Sequence, residues 1–147
     1  MIEENRYSLF SYIDISNLAL INFNEVEEKV KGAISSADPW ERYWALITCS
    51  TFEEQALYFK DKIKEISKTD IELINKVRAA EFLGLTKTES PVKVMTNTLY
   101  KSKDPAEALL ILNSIVLMND NPYSYHFKID SEKIEEWDLK DFMTSQL

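Results

Sequence analysis

The feature that most constrains the fold of this chain is a helix-start phrase that occurs twice. It reads Asp38-Pro39-Trp40-Glu41 in the first copy and Asp104-Pro105-Ala106-Glu107 in the second. In each copy the Asp is suited to cap a helix, and Pro fits the first helical position because its missing N–H would have no partner there. The Glu three residues after the Asp can bond the cap's own N–H and complete a capping box. Thr69-Asp70-Ile71-Glu72 is a variant of the same phrase.

The spacing of these phrases predicts repeated helical hairpins. The starts fall at residues 38, 69 and 104, in steps of 31 and 35 residues. A period of about 30–40 residues is the signature of stacked helix pairs, in contrast to a single-site enzyme fold. The residues to which we assign a capping role are Asp38, Pro39, Glu41, Thr69, Glu72, Asp104, Pro105 and Glu107.

The composition agrees with a helical domain and excludes several functional classes. Gly32 and Gly84 are the only glycines among the 147 residues, which argues against Gly-rich phosphate loops. The formal net charge is −8, and because a nucleic-acid backbone requires clustered Lys and Arg, we expect no nucleic-acid partner. No apolar run reaches the roughly 18 residues of a membrane span, so no membrane insertion is expected. Residues 1–6 lack the basic start of a signal peptide.

Hydrophobic periodicity divides the chain into successive helical units. We predict five units: a leading hairpin (1–37), repeat 1 (38–68), repeat 2 (69–103), the first helix of repeat 3 (104–120) and a capping tail (121–147).

Within the leading hairpin we predict a helix over 7–21 and a second one from Asn24 to Gly32, a residue type that commonly ends helices. In repeat 2, Val77, Ala80 and Gly84 form a row of mostly small residues that lets a neighbouring helix approach closely. The first helix of repeat 3 is apolar nearly all round, which predicts burial on most sides.

The tail has a different pattern from the helices. Tyr123, Tyr125, Phe127 and Ile129 alternate with polar residues, which predicts an extended segment laid against the helices. Asp130 or Ser131 is suited to cap a last turn, followed by Trp137, Leu139 and Phe142 as apolar anchors. Solenoids need such a cap to cover their last exposed face.

The residues that usually carry catalysis are scarce. His126 is the single histidine, so beyond a single ligand the chain can build neither a His-based metal site nor a His–carboxylate catalytic arrangement. Cys49 is the single cysteine and lies at the end of a predicted helix, where the helix dipole disfavours a thiolate, so we predict that it is a small core residue. We therefore predict no catalytic residue, no metal site and no cofactor in this chain.

Arg42-Tyr43-Trp44-Ala45 is the most unusual local string, and two interpretations of it remain open. Two aromatic residues and an Arg on the first turns of a helix are typical anchors of a recognition surface. In the alternative, Trp44 is a core residue between repeats and Arg42 pairs with an acidic neighbour. The candidate interaction residues are Arg42, Tyr43, Trp44 and, in the tail, Trp137.

The same string carries a family resemblance. Asp38-Pro39 with Arg42-Tyr43-Trp44-Ala45, then Ala79-Ala80-Glu81-Phe82-Leu83-Gly84 and Leu112-Asn113-Ser114, resembles the HEAT-like helical domain at the C-terminus of bacterial sulfatases of the arylsulfatase and N-sulfoglucosamine sulfohydrolase type. The resemblance covers roughly residues 7–118. Lys76 and Ile111 depart from the family phrases, and the sulfatase motif of Cys or Ser followed by x-Pro-x-Arg is absent.

The resemblance implies an all-α fold, a HEAT-like α-solenoid forming a right-handed superhelix of about seven helices with an irregular C-terminal cap. It also implies a function: a non-catalytic accessory domain that packs on the catalytic domain of a sulfatase-like hydrolase or organises an oligomer, in a periplasmic or extracellular enzyme. The alternative is a stand-alone HEAT-like scaffold that binds another protein. In both cases the expected partner is a protein domain, and the chain itself is not an enzyme.

Overall fold

The structure, a computed structural model, describes residues 22–134. Over that range the chain is helical, and no β-strand occurs in it. The α-helices are α1 (Phe23–Ile34), α2 (Pro39–Phe52), α3 (Lys60–Thr69), α4 (Leu73–Leu85), α5 (Val92–Lys101) and α6 (Pro105–Asn119), with 3₁₀ helices at Glu53–Phe59 and Ser131–Lys133. The all-α class is confirmed for this part of the chain. The predicted helix over 7–21 and the anchors Trp137, Leu139 and Phe142 lie outside the described residues.

The two Asp-Pro phrases begin α2 and α6, and each helix starts at the proline of its phrase. Asp38 Oδ1 accepts a hydrogen bond from Trp40 N at 2.9 Å, and Asp104 Oδ1 accepts one from Ala106 N at 3.0 Å. Each carboxylate therefore satisfies one of the backbone donors that a helix leaves unpaired at its first turn.

The predicted capping boxes are wrong in one respect: the bond from the Glu side chain back to the N–H of the capping Asp. Asp38 N donates to Ser36 Oγ at 3.0 Å, so the N–H assigned to Glu41 is already bonded. Glu107 Oε1 accepts from Ser102 Oγ at 2.8 Å. A serine two residues before the cap closes a local turn with a shorter side chain than Glu, and it competes successfully for these groups.

The capping role assigned to Thr69 is also wrong. Thr69 is the last residue of α3, and its Oγ1 donates to Glu65 O at 2.8 Å. Asp70 Oδ1 accepts from Glu72 N at 2.9 Å, which closes a turn just before α4, while the N-cap position itself is Glu72, whose side chain makes no capping bond. Because α4 begins at Leu73, Glu72 immediately precedes the helix and cannot act as the third residue inside it.

The predicted bounds of the helix before repeat 1 are also corrected. The helix runs from Phe23 to Ile34, so Gly32 lies inside it and does not end it, and Asn22 occupies the N-cap position in place of Asn24. Val26, Val30 and Ile34 are buried along one side of the helix. Continuing the helix to Ile34 buries that last side chain, which outweighs the modest cost of one internal glycine.

Helix α4 lies at the centre of the described structure and contacts α2, α3, α5 and α6. In addition, α1 packs on α2, and α5 packs on α6. Buried side chains form two clusters, one built from α1, α2, the first 3₁₀ helix and α3, the other from α5 and α6. Helix α4 belongs to both, because Phe82 is buried in the first cluster and Val77 and Ala80 in the second.

Gly84 allows the close packing that the row of small residues predicted. A Cβ placed on Gly84 would lie 2.9 Å from Met118 Sδ and 3.0 Å from Pro91 Cγ. These separations are shorter than ordinary van der Waals contacts, so the absence of a side chain at residue 84 lets Met118 of α6 and Pro91 before α5 pack directly on α4.

The segment after α6 has no helix or strand and turns at Ser124, where φ is 55°. Its burial alternates as the pattern predicted: Tyr123, Tyr125, Phe127 and Ile129 pack on the second cluster, and the residues between them are exposed. Tyr125 Oη donates to Gly84 O at 2.9 Å, and Asp130 N donates to Tyr100 Oη at 2.8 Å. Two hydrogen bonds therefore fix this segment to α4 and α5.

The prediction that the first helix of repeat 3 is buried on most sides is wrong for one face of α6. Ile111, Leu112 and Ile115 are fully buried, whereas Leu109, Leu110 and Leu117 are exposed by 41%, 42% and 44%. The extended segment packs on the other side of the helix, beside Met118 and Gly84. No helix of the described part is long and apolar enough to cross a membrane.

Candidate functional site

Arg42, a candidate interaction residue, forms an ion pair with Asp70, which joins α2 to the segment before α4. Its Nε lies 2.8 Å from Asp70 Oδ2 and its Nη2 lies 3.1 Å from Asp70 Oδ1, so the pair is bidentate. Nη1 donates to Ser36 O at 2.8 Å. The alternative in which Arg42 pairs with an acidic neighbour is therefore confirmed, and this guanidinium links the starts of two helices.

The geometry of the ion pair explains the shifted pKa values. Burial raises the pKa of the Asp70 carboxyl, but the hydrogen bonds from Arg42, Glu72 N and Asn75 and the charge of Arg42 lower it by more. The net pKa of Asp70 lies below its usual value. The hydrogen bond to Asp70 and the nearby charges raise the pKa of Arg42 despite the opposing effect of burial. Both groups are charged at neutral pH, as a buried pair must be to offset its desolvation.

Tyr43 and Trp44 form part of a row of aromatic rings on α2. The Tyr43 and Trp44 centroids are 5.2 Å apart with an interplanar angle of 79°, and the Trp40 and Tyr43 centroids are 5.6 Å apart at 81°. Tyr43 and Trp44 are half-buried. The guanidinium carbon of Arg78 lies 5.7 Å from the Tyr43 ring centroid, within the range of a cation–π contact.

Trp40 is the exposed member of this row, and the sequence prediction missed it. Its side chain is 65% exposed and forms one wall of a cleft of about 120 Å³. We call this the Trp40 cleft, and its lining residues are Pro39, Trp40, Tyr43, Glu72, Ile74 and Asn75. The sequence carried one signal: Trp40 occupies the position that Ala106 holds in the second Asp-Pro phrase, so the helix start itself does not require a large side chain there. In the structure both positions are exposed. A bulky aromatic residue at this outward position indicates a recognition role.

Asn75 gives the Trp40 cleft a polar element. The residue is only 1% exposed, and its Nδ2 donates to Pro39 O at 3.1 Å, which joins the start of α2 to α4. Its Oδ1 is buried and has no hydrogen-bond partner among the described residues. A buried acceptor without a partner in the protein costs free energy.

A second exposed apolar residue, Ile71, lies just before the start of α4, the helix that packs on α2. Ile71 is 83% exposed, and it stands in the segment joining α3 to α4. It lines a larger cavity of about 350 Å³, between this segment, the end of α1 and α3. Residues 70–72 thus separate two concave regions: Asp70 and Ile71 line the larger cavity, and Glu72 lines the Trp40 cleft.

A polar network joins α4 to α6 on the other side of Tyr43. Arg78 Nη1 lies 2.9 Å from Glu81 Oε2 and 3.2 Å from Ser114 Oγ, and Ser114 Oγ donates to Glu81 Oε2 at 3.1 Å. Burial lowers the pKa of Arg78, but the charge of Glu81 and the contact with Tyr43 raise it by more. The network holds the arginine against Tyr43, and it is a packing feature between helices.

The residues considered for catalysis are not brought together. Cys49 is fully buried in the first cluster, and burial raises the pKa of its thiol to about 12. The prediction of a small core residue is confirmed. His126 is exposed on the extended segment. Among residues 22–134, no three His, Cys, Asp or Glu side chains are grouped so that they could hold a metal ion.

Comparison with known proteins gives no family for this chain. Neither models of protein families nor characterised proteins nor solved structures match it. The candidate site is therefore argued from its geometry alone. Two aromatic rings, an unpaired amide oxygen and a carboxylate around a small cleft are the components of a recognition site.

Proposed function

We propose that this chain is a non-catalytic helical-repeat scaffold that binds another protein through the end of the molecule where α2 and α4 begin. The observation that carries the proposal is the placement of Trp40 and Ile71. Both are large apolar side chains, both are exposed by more than 60%, and they lie at the starts of neighbouring helices beside two concave regions. We call this surface the Trp40–Ile71 edge.

The rigidity of the edge supports this role. The bidentate pair between Arg42 and Asp70 and the bond from Asn75 Nδ2 to Pro39 O fix residues 70–72 against the first turn of α2. An exposed aromatic side chain on a rigid support loses little conformational entropy when it binds, which is why tryptophan is enriched at binding hot spots.

For the architecture we propose a HEAT-like solenoid of stacked hairpins. The contacts of α4 with both α2 and α6 support it, because first helices of successive hairpins are neighbours in such a stack. An experimental structure in which α2, α4 and α6 form one layer with a right-handed rotation between pairs is the expected result. A different layer order would contradict it.

The edge can be tested by isolating the partner with the chain and its variants. Trp40→Ala combined with Ile71→Ser removes both exposed side chains, and Tyr58→Ser is the matched control because Tyr58 is 74% exposed elsewhere. We expect one protein to be recovered in equal amount with the unmodified chain and with Tyr58→Ser, and to be lost with the double variant. A complex that survives the double substitution contradicts the proposal, provided that circular dichroism shows all three proteins folded.

A second candidate function is the accessory domain of a sulfatase-like hydrolase, which the phrase Arg42-Tyr43-Trp44-Ala45 suggests by resemblance. The exposed face of α6 favours it, since Leu109, Leu110 and Leu117 form an apolar surface that a parent catalytic domain would cover. The test is the coding region upstream of this chain. A Cys- or Ser-x-Pro-x-Arg motif in the same reading frame supports the accessory role, and an upstream stop codon excludes it.

A further inference from the structure

We propose that the Trp40 cleft binds an arginine side chain that the partner protein presents. This inference rests on the proposed function and specifies the chemistry of the partner at the Trp40–Ile71 edge. The cleft volume of about 120 Å³ suits a single side chain and excludes a folded element. The occupant is therefore one residue of the partner, inserted between the first turn of α2 and the start of α4.

The walls of the cleft suit a flat cation. Trp40 leaves 65% of its side chain exposed, and Tyr43 stands edge-to-face against it. Guanidinium groups stack on aromatic faces, best on Trp, because the ring quadrupole attracts the cation and guanidinium is weakly hydrated. The molecule already contains one such contact, between Arg78 and the Tyr43 ring at 5.7 Å.

The cleft has an acceptor that matches the donors of arginine. The Glu72 carboxylate makes no hydrogen bond or ion pair with another described residue. A guanidinium carries five N–H donors in one plane, so a group stacked on Trp40 can also bond this carboxylate.

The surrounding charges do not oppose a cation. Arg42 and Arg78, the arginines of the described residues, are paired with Asp70 and Glu81 at 2.8 and 2.9 Å. The chain as a whole has a net charge of −8, which attracts basic partners. Lysine is a poorer fit because its ammonium is a compact, strongly hydrated point charge that cannot stack.

The test uses two short Gly/Ser peptides, one with a central arginine and one with citrulline in its place. Citrulline keeps the size and planarity of the side chain but has no charge. Binding is followed in ¹H–¹⁵N spectra through the side-chain amide of Asn75, which lines the cleft and is present in every variant tested. We expect saturable shifts of this signal with the arginine peptide and at least about tenfold weaker binding of the citrulline peptide.

Variants assign the effect to the cleft. Trp40→Ala and Glu72→Gln are each expected to weaken arginine binding about three- to tenfold, while Glu54→Gln, a matched change at an exposed carboxylate elsewhere, leaves it unchanged. Equal binding of the two peptides, or affinity unaffected by Trp40→Ala, overturns the inference. If the arginine peptide does not bind but the Trp40→Ala, Ile71→Ser double variant still loses the protein partner, the arginine inference is wrong and the proposed function stands.

Discussion

At the residue scale, Gly84 is the position where the packing of three helices leaves least room. Because a Cβ at this position would lie 2.9 Å from Met118 Sδ and 3.0 Å from Pro91 Cγ, Gly84→Ala must displace the buried Met118 side chain, the Pro91 ring or both. We expect a loss of about 1–3 kcal/mol in the free energy of unfolding, measured by urea denaturation.

Gly32 provides the matched control for this substitution. It lies inside α1 and is exposed, and no atom lies within 4 Å of a Cβ placed there. Gly32→Ala therefore raises stability by about 0.5–1 kcal/mol through helix propensity alone. Opposite signs for the two variants are the expected result, and a neutral Gly84→Ala would mean that the close approach of α6 is relieved at no cost.

Glu53 is one of three non-glycine residues in the described part whose φ is positive. It follows α2 directly and begins the first 3₁₀ helix with φ of 51° and ψ of −114°, a region in which glycine is strongly favoured. We expect Glu53→Gly to stabilise the protein by about 1 kcal/mol, with thermal and urea unfolding as the measurements. Glu54→Gly, one residue later and without a positive φ, is expected to lower stability by up to about 1 kcal/mol. A destabilising Glu53→Gly would show that this backbone is unstrained.

At the element scale, Asp70 and Arg42 join the start of α4 to the first turn of α2, and their link should depend on pH. The pKa of Asp70 is lower in the folded protein than its usual 3.8. A carboxyl of this kind contributes fully to stability above its unfolded pKa, and the contribution is lost as the pH falls through its folded pKa. The stabilising contribution of Asp70 is therefore expected to be lost at and below a pH of about 4.

Asp70→Asn measures this contribution. The variant leaves Arg42 without its charged partner, and we expect a loss of about 2–3 kcal/mol in the free energy of unfolding at pH 7. The difference from the unmodified protein should shrink as the pH falls from 5 to 3 in a series of urea titrations. Asp61→Asn, at an exposed site on α3, is the control and changes stability little. A constant difference for Asp70→Asn across the series would contradict the assignment.

The same element shows why sequence patterns predicted some helix starts and not others. Asp38 and Asp104 were predicted correctly as caps because an N-cap bond spans only two residues and depends on local chain geometry. At the start of α4 the choice between Thr69 and Asp70 is decided by Arg42, which is 28 residues away. No local pattern contains that information.

The candidate site was predictable to a smaller extent. Aromatic residues on the first turns of α2 suggested a recognition surface, but the exposed ring belongs to Trp40, and Arg42 and Trp44 are held in packing contacts. The acceptor of the cleft, Asn75 Oδ1, is visible only after α4 is placed against Pro39. An asparagine in a helix has no sequence signal that distinguishes a buried, unpaired side chain from an exposed one.

At the scale of the whole molecule, α4 makes two hydrophobic clusters depend on each other. Its Phe82 is buried in the cluster with α1, α2 and α3, and its Val77 in the cluster with α5 and α6. If α4 unfolds, both clusters lose the side chains that it contributes. The described part should therefore unfold as a single cooperative unit.

This cooperativity can be tested with one substitution in each cluster. Leu46→Ala in α2 and Leu112→Ala in α6 remove fully buried side chains of the same kind and are each expected to cost about 2–5 kcal/mol. Native-state hydrogen exchange of each variant then reports protection along every helix. If α4 transmits the loss, Leu112→Ala lowers the protection of the most protected amides of α2 and α3 by the same free energy as those of α5. A loss of protection confined to α5 and α6 would mean that the two clusters unfold separately, although α4 packs against both. A uniform loss is the expected outcome because the faces of α4 that carry Phe82 and Val77 belong to one hydrogen-bonded helix.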